Sequence, residues 1–275
     1  MLNPYRRSIC LPDKLGACLV TGTEKVRCGY GNGDCLLLDF HHRVFAVADA
    51  TERFPQASRL LIERLAAAIA ETGPPRDENT FNALLERVWS RQKYIHKTTL
   101  SCVVLVNGND GPAAMLANNG DSTITFLNPS DGKVLFRTRA DMNFAGRSKH
   151  PNAVTTQRLN GSRPAIVLAT DGLAGIGGIL STKITRRPHR IAQWIADRTR
   201  PPALPPEIDD IGAIALAPDV PIRETQTIIM GGTRPAAESS FTQTSGYSPT
   251  MDRWNSITAW QQSPELLELA GIQIR

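Results

Sequence analysis

Cysteine is scarce and unpatterned in this sequence. Cys10, Cys18, Cys28, Cys35 and Cys102 make an odd number, and no two form a Cys-x-x-Cys pair. That argues against a disulfide frame or a zinc site and suits a reducing cytosol. Long hydrophobic runs are missing, so no transmembrane helix is expected. Residues 1–16 hold Arg6 and Arg7 with no apolar stretch behind them, so a secretory signal is not expected either. Charge of one sign is also lacking: the net charge is +5 over 275 residues, and aromatics make up 6%. Scattered arginines with few aromatics among them leave no nucleic-acid footprint. The familiar nucleophile and phosphate-loop signatures are absent as well: there is no Gly-x-Ser-x-Gly elbow, no Cys-x5-Arg loop and no Walker loop. The expectation is a cytoplasmic chain, monomeric, with no nucleic-acid or membrane partner.

With 41% hydrophobic residues, the chain can bury a full core as one large domain, or as one domain with extensions. The organising stretch is 163–175. Residues 166–169 form an apolar run dense enough for a strand buried on both faces, and it stops on Thr170-Asp171-Gly172. Gly172 lets the chain turn sharply, leaving a carboxylate at the tip of a core strand. Such a carboxylate can ligate a hard cation.

The arrangement recurs along the chain. A strand is expected at 17–26, then a Gly-rich loop, Asp34 and the apolar run 35–38. The next strand, 44–48, ends on Asp49. Antiparallel pairing of these two would put Asp34 and Asp49 on one sheet edge. Helical periodicity covers 57–70, and a second helix, capped by Asn79, buries Phe81, Leu84, Leu85, Val88 and Trp89. His96 is expected near its end, against the helix dipole. Further strands are expected at 98–106, 113–117 (running on to Asp121), 122–127, 134–137 and 154–159. A third helix spans 186–200. Asp209 and Asp210 precede the apolar run 211–216, and one more strand is expected within 225–230. The first 230 residues are expected to form one domain. Residues 231–251 read as a flexible linker. A short helix at 264–270 follows, and Trp254, Ile257 and Trp260 recur at near-helical spacing.

Asp34, Asp49, Asp121, Asp171 and Asp209 thus all fall at strand ends. Carboxylates converging on one edge repel each other and need cations to hold them. Two divalent ions bridged by a carboxylate can bind a phosphate and a water together, lowering the water's pKa and steadying the oxyanions of an in-line attack.

Six motifs in order resemble the metal-dependent Ser/Thr protein phosphatases of type 2C. Phe45-Ala-Val-Ala-Asp49 resembles the family's strand ending in Asp-Gly, and Ala117-Asn-Asn-Gly-Asp-Ser122 its Ala-Asn-x-Gly-Asp-Ser. Arg139-Ala-Asp141 resembles its Thr-x-Asp-His-Ser, and residues 150–161 the stretch after its flap. Val167-Leu-Ala-Thr-Asp-Gly-Leu173 and Asp209-Asp-Ile211 are similar to its Asp-Gly-Leu strand and its Asp-Asn-Ile/Met. The resemblance spans roughly residues 17 to 217.

The resemblance implies an α+β fold, an αββα sandwich of two antiparallel sheets flanked by helices. It implies that Asp49 bridges two Mn or Mg ions and that the carbonyl of Ala50 ligates one of them. By the same resemblance Asp171 and Asp209 complete the second ion, and Asp34 holds a metal-bound water. Asp121 belongs to a looser third-metal site, and Arg27 is the candidate phosphate ligand. The implied activity is phosphoserine/phosphothreonine hydrolysis through metal-activated water, with a Ser/Thr kinase or its target as substrate. The sequence departs from the pattern at Ala50, at Thr51 (often His in the family), at Gly175 (usually an acid) and in a very short flap between Asp141 and His150. Those departures motivate an alternative: a pseudophosphatase that binds phosphoprotein or kinase without turnover. Hydrolysis of a small phosphate ester by the same centre is a lesser option.

Overall fold

A computed structural model describes residues 6–23, 25, 32–51, 54–93, 96–108, 111–159, 163–177, 186–199, 208–222, 227–232, 257–260 and 273–274. The strands are β1 (Arg6–Leu11), β2 (Leu15–Val20), β3 (Asp34–Asp39), β4 (Val44–Asp49), β5 (Leu100–Gly108), β6 (Gly111–Asn119) and β7 (Thr123–Leu127). They continue as β8 (Val134–Arg137), β9 (Thr155–Arg158), β10 (Ala165–Ala169), β11 (Ile211–Leu216), β12 (Thr227–Gly231), β13 (Ile257–Trp260) and β14 (Gln273–Ile274). The helices are α1 (Gln56–Thr72), α2 (Glu78–Trp89), a single turn α3 (Gly172–Gly175) and α4 (Ile191–Arg198), the last preceded by a 3-10 turn at Pro188–Arg190.

Side-chain alternation explains the layering. Along β3 and β4, Leu36, Leu38, Phe45 and Val47 point one way, while Cys35, Leu37, Val44, Ala46 and Ala48 point the other. The first set meets Leu15, Leu19, Ile166, Leu168, Ile214 and Leu216 from the opposite sheet. The second set packs under Leu61, Leu65, Ile69, Phe81, Leu85 and Val88 of α1 and α2. On the outer side of the other sheet, Val20, Val167, Ala213 and Ala215 meet Ile191 and Ile195 of α4. Both faces of the central strands are therefore apolar, which is why these runs read as continuous rather than alternating. The result is four layers, αββα, as expected. The sheets run β14-β1-β2-β11-β10-β7-β8 and β13-β12-β3-β4-β5-β6-β9, antiparallel throughout. Among the described residues no helix is long and apolar enough to cross a membrane.

Local details differ from the expectations, beginning with the strand expected at 17–26, which runs Leu15–Val20. The cap of α2 is Asp77 rather than Asn79: its extended backbone lets the carboxylate accept the Thr80 N–H at 2.8 Å, and the Thr80 hydroxyl answers the Asp77 N–H. His96 lies well beyond the end of α2 at Trp89, away from the helix dipole. Residues 6–11, unread in the sequence, form β1, a hairpin partner of β2 closed by Asp13 at φ 57°. Residues 257–260 are not helical; they pair antiparallel with β12, and β14 pairs with β1. Near-helical spacing was misleading there because the open edge of β12 supplies backbone partners that a short isolated helix lacks. The linker at 231–251, apart from its first two residues, and the helix at 264–270 lie outside the described residues.

Phe45 is fully buried between the sheets, with its ring edge-on to Phe40 at 5.9 Å. Truncation to alanine should cost about 3–5 kcal/mol of unfolding free energy. Leu135→Ala, at a site 50% exposed, should stay within about 0.5 kcal/mol. Urea denaturation followed by circular dichroism checks both values.

Candidate metal centre

Antiparallel order brings the acids together. The end of β4 lies beside the start of β3, so Asp49 and Asp34 are direct cross-strand partners. The end of β10 lies beside the start of β11, which places Asp171 near Asp209 and Asp210. Asp121 sits in the connection from β6 to β7, where the chain crosses from one sheet to the other. One ligand oxygen from each of Asp49, Asp121 and Asp171 falls within 4.8 Å of the others. Asp34 adjoins Asp49, and Asp209 lies close enough to act electrostatically on Asp34, Asp49 and Asp171. Arg27 lies outside the described residues.

Hydrogen bonds pin the Asp34 carboxylate, the Asp49 backbone and the turn that carries Asp121. Thr170 donates its hydroxyl to Asp34 Oδ2 at 2.7 Å and accepts the Gly212 N–H at 2.9 Å, tying β3 to β10 and β11. The Asp49 N–H donates to Thr99 Oγ1 at 2.9 Å, and the Asp49 carbonyl accepts the Thr98 hydroxyl at 2.7 Å. Thr99 Oγ1 is also 2.7 Å from Ser122 Oγ, so one hydroxyl links the supports of Asp49 and Asp121. The turn before Asp121 contains Gly120 at φ 89°. Its N–H donates to Asp141 Oδ1 at 2.9 Å, while the Asp141 N–H returns a bond to the Gly120 carbonyl. Asn152 donates to the other oxygen of Asp141.

Gly172 serves a different purpose from the one read in the sequence. Its φ is not positive; instead, a Cβ there would overlap the Asp210 carbonyl oxygen. Glycine is needed for close approach of β10's tip to the start of β11. Gly33 faces a similar constraint, since a Cβ would come to 2.8 Å of the Ala50 carbonyl oxygen.

Asp210 was not singled out by sequence reasoning, although Asp209 was. The two neighbours point to opposite sides: Asp209 is exposed and Asp210 is buried. Asp210 accepts the Gly22 N–H on one oxygen and the Gly33 N–H on the other, both at 2.7 Å. The signal available in the sequence was the strand period of two, which sends adjacent acids to opposite faces. Asp141, which the sequence places in a motif without a role, braces the Asp121 turn.

The electrostatics are unbalanced. Burial, then the charge of Asp49, holds the Asp34 carboxyl well above the usual carboxylate range. Burial, then Asp171, does the same to Asp49. Asp171 is raised by burial and by Asp121. Burial pushes Asp210 up to about 6 against the pull of its two N–H donors and Lys25. Asp34 Oδ1 is buried with no hydrogen-bond partner. An all-oxygen donor set, crowded carboxylates and an open buried oxygen fit hard divalent cations, which take oxygen ligands and relieve the repulsion.

Replacing Thr170 with valine keeps the shape but strips Asp34 of its donor and Gly212 of its acceptor. The expected loss is about 1–3 kcal/mol in urea unfolding. A change below about 0.5 kcal/mol would show that this hydroxyl does not brace the centre.

No family model matches the sequence, and no curated protein matches it. Solved structures do. The Mycobacterium tuberculosis serine/threonine phosphatase PstP/Ppp aligns with a TM-score of 0.56 at 15% identity, over 76% of this chain and 98% of that one. The catalytic domain of PstP in complex with two manganese ions aligns with a TM-score of 0.54 at 17% identity, over 77% and 98%. RsbX in complex with magnesium aligns with a TM-score of 0.52 at 14% identity, over 74% and 94%. The chain has the α+β fold of the type 2C bacterial serine/threonine phosphatases.

Proposed function

We propose that this protein is a metal-dependent phosphoprotein phosphatase hydrolysing phosphoserine and phosphothreonine. The observation that carries the reading is the convergence of Asp49, Asp121 and Asp171 within 4.8 Å at the shared end of two sheets, in a fold common to such phosphatases. Two Mn or Mg ions are the cofactors this reading requires. Asp49, Asp121, Asp171 and Asp209 would hold them, with the Ala50 carbonyl. When bound, such ions supply Lewis acidity and neutralise charge on phosphate oxygens and on the attacking water.

The chain's own residues do the rest. Asp49 is the cross-strand partner of Asp34, clusters with Asp121 and Asp171, and feels the charges of Asp209 and Asp210, so it is the central carboxylate of the group. Asp34 keeps Oδ2 on the Thr170 hydroxyl and presents Oδ1 as an acceptor for a water O–H, which orients that water. Asp210 has both oxygens on backbone N–H groups, so it fixes the segments at Gly22 and Gly33 rather than offering a ligand. Thr51 is exposed beside the centre, and its hydroxyl is too weak an acid to deliver a proton to a leaving alcohol at neutral pH. Solvent then supplies that proton. The pseudophosphatase alternative gains nothing from Gly175, which is exposed with open space around it and leaves Asp49, Asp121 and Asp171 together.

Phosphate release from a phosphothreonine peptide, with and without manganese, tests the proposal; a folded protein that releases none sinks it. Asp49→Asn should reduce kcat by a factor on the order of a hundred or more, and Asp121→Asn by less, because Asp49 interacts with more of the group. Equal residual rates in the two variants would contradict the central place of Asp49. Chelation by EDTA should abolish turnover while the protein stays folded, since its three hydrophobic cores bury far more apolar surface than a metal-dependent mini-domain does. Manganese should then raise Tm by linkage. Collapse of the circular dichroism signal in EDTA would show that the acids hold structure, not a reactive centre.

A further inference from the structure

Beside the acid cluster lies a rim of the opposite sign. The connection after α2 carries Arg91 and Lys93, both exposed, and runs through His96 to Thr98, whose hydroxyl holds the Asp49 carbonyl. A second segment packs along it. Gly146 sits so close that a Cβ would come to 2.5 Å of the Lys93 carbonyl oxygen and 2.7 Å of the His96 one. The Trp89 indole N–H donates to the Ser148 carbonyl at 2.9 Å, and Thr98 bridges Ala50 on one side and Ala145 on the other. This second segment exposes Arg147 and Lys149. Two short stretches therefore join the candidate centre through Ala50 and Asp49 and present four cations to solvent.

Among the described residues, no carboxylate pairs with these four cations. Neither residues 91–98 nor residues 145–150 contain an aspartate or glutamate. Among the described residues, Arg91, Lys93, Arg147 and Lys149 make no ion pair. Glu86 of α2 meets this segment at His150, at 3.1 Å, rather than at one of the four cations, and Glu63 of α1 pairs with Arg59 at 2.6 Å. The excess positive charge is felt locally, since the His96 imidazole is pushed down by burial and then by Lys93 and Arg64, and the Arg64 guanidinium by burial and then by Arg91.

We propose that this rim, formed by Arg91, Lys93, Arg147 and Lys149, is a docking surface for the acidic flank of a phosphoprotein substrate. The proposal rests on the phosphatase reading for the word substrate, but the charge pattern stands apart from it. A cluster of carboxylates repels an anionic peptide, and a cationic rim alongside offsets that repulsion and steers the chain into register. An acidic polypeptide is favoured over other polyanions because both segments that carry the rim meet at Thr98, whose hydroxyl holds the Asp49 carbonyl, so a substrate chain leaving the centre runs onto the rim.

The test uses two phosphothreonine peptides, one flanked by glutamates and one by glutamines, each labelled with fluorescein. Fluorescence anisotropy in EDTA reads binding without turnover, and kcat/KM in manganese reads catalysis. The full-length wild type should prefer the acidic peptide by about tenfold or more in both measurements, with the preference shrinking as salt rises. The combined variant Arg91→Gln, Lys93→Gln, Arg147→Gln, Lys149→Gln, at four exposed positions, should lose that preference with Tm retained. A preference that survives in the variant, or is missing in the wild type, overturns the docking surface. So does a variant whose only defect is weaker binding to phosphatidylserine vesicles or to a single-stranded RNA. Charge-dependent binding with no turnover of either peptide overturns the phosphatase reading alone.

Discussion

Repulsion among carboxylates at one end of two sheets is the constraint on which the rest of this structure turns. Asp34, Asp49, Asp171, Asp209 and Asp210 act on one another, and burial raises the cost of charging the enclosed ones. Left in loops, such groups would swing apart into water. Here they are fastened to β-strands whose two faces are both buried, and the framework around them consists of short bonds from threonine hydroxyls and backbone N–H groups. Stability of the sandwich is thereby used to hold charges where the chain alone would not place them, which is the physical condition for a site that binds cations and then acts through them.

The topology does this with few parts. Antiparallel neighbours bring the end of one strand beside the start of the next, so β3 with β4, and β10 with β11, each deliver acids from sequence-distant segments to one edge. The crossing from β6 to β7 adds Asp121, braced by Asp141 across the Gly120 turn. Glycines at 33 and 172 let the ends of neighbouring strands approach where any side chain would push them apart. Around this acidic end, the segments that support Asp49 also expose cations, so the same contacts that position the centre set the sign of the surface beside it.

Much of this could be read in the sequence. Apolar runs such as 44–48, 166–169 and 211–216 announced buried strands, and acids at their ends marked the shared edge. The cross-strand pairing of Asp34 with Asp49 followed from antiparallel order alone. What escaped had physical reasons. Asp210 looked like a twin of Asp209 because type and spacing do not reveal which of two adjacent acids turns inward. Asp77 outcompeted Asn79 as a cap through a reciprocal bond with Thr80 that only backbone geometry exposes. Gly172 advertised a turn but answers to a neighbouring carbonyl far away in sequence. The stretch 257–260 has helical spacing and yet pairs as a strand, because the edge of β12 decides its conformation. Arg27, the candidate phosphate ligand, lies outside the described residues.

Crystals soaked in manganese chloride and measured at the manganese absorption edge probe the acid cluster most directly. Anomalous density between the carboxylates of Asp49, Asp121 and Asp171 is the predicted result. A folded protein whose only anomalous peaks lie away from these three residues, or that shows none at millimolar manganese, would contradict a metal centre at this end of the sheets.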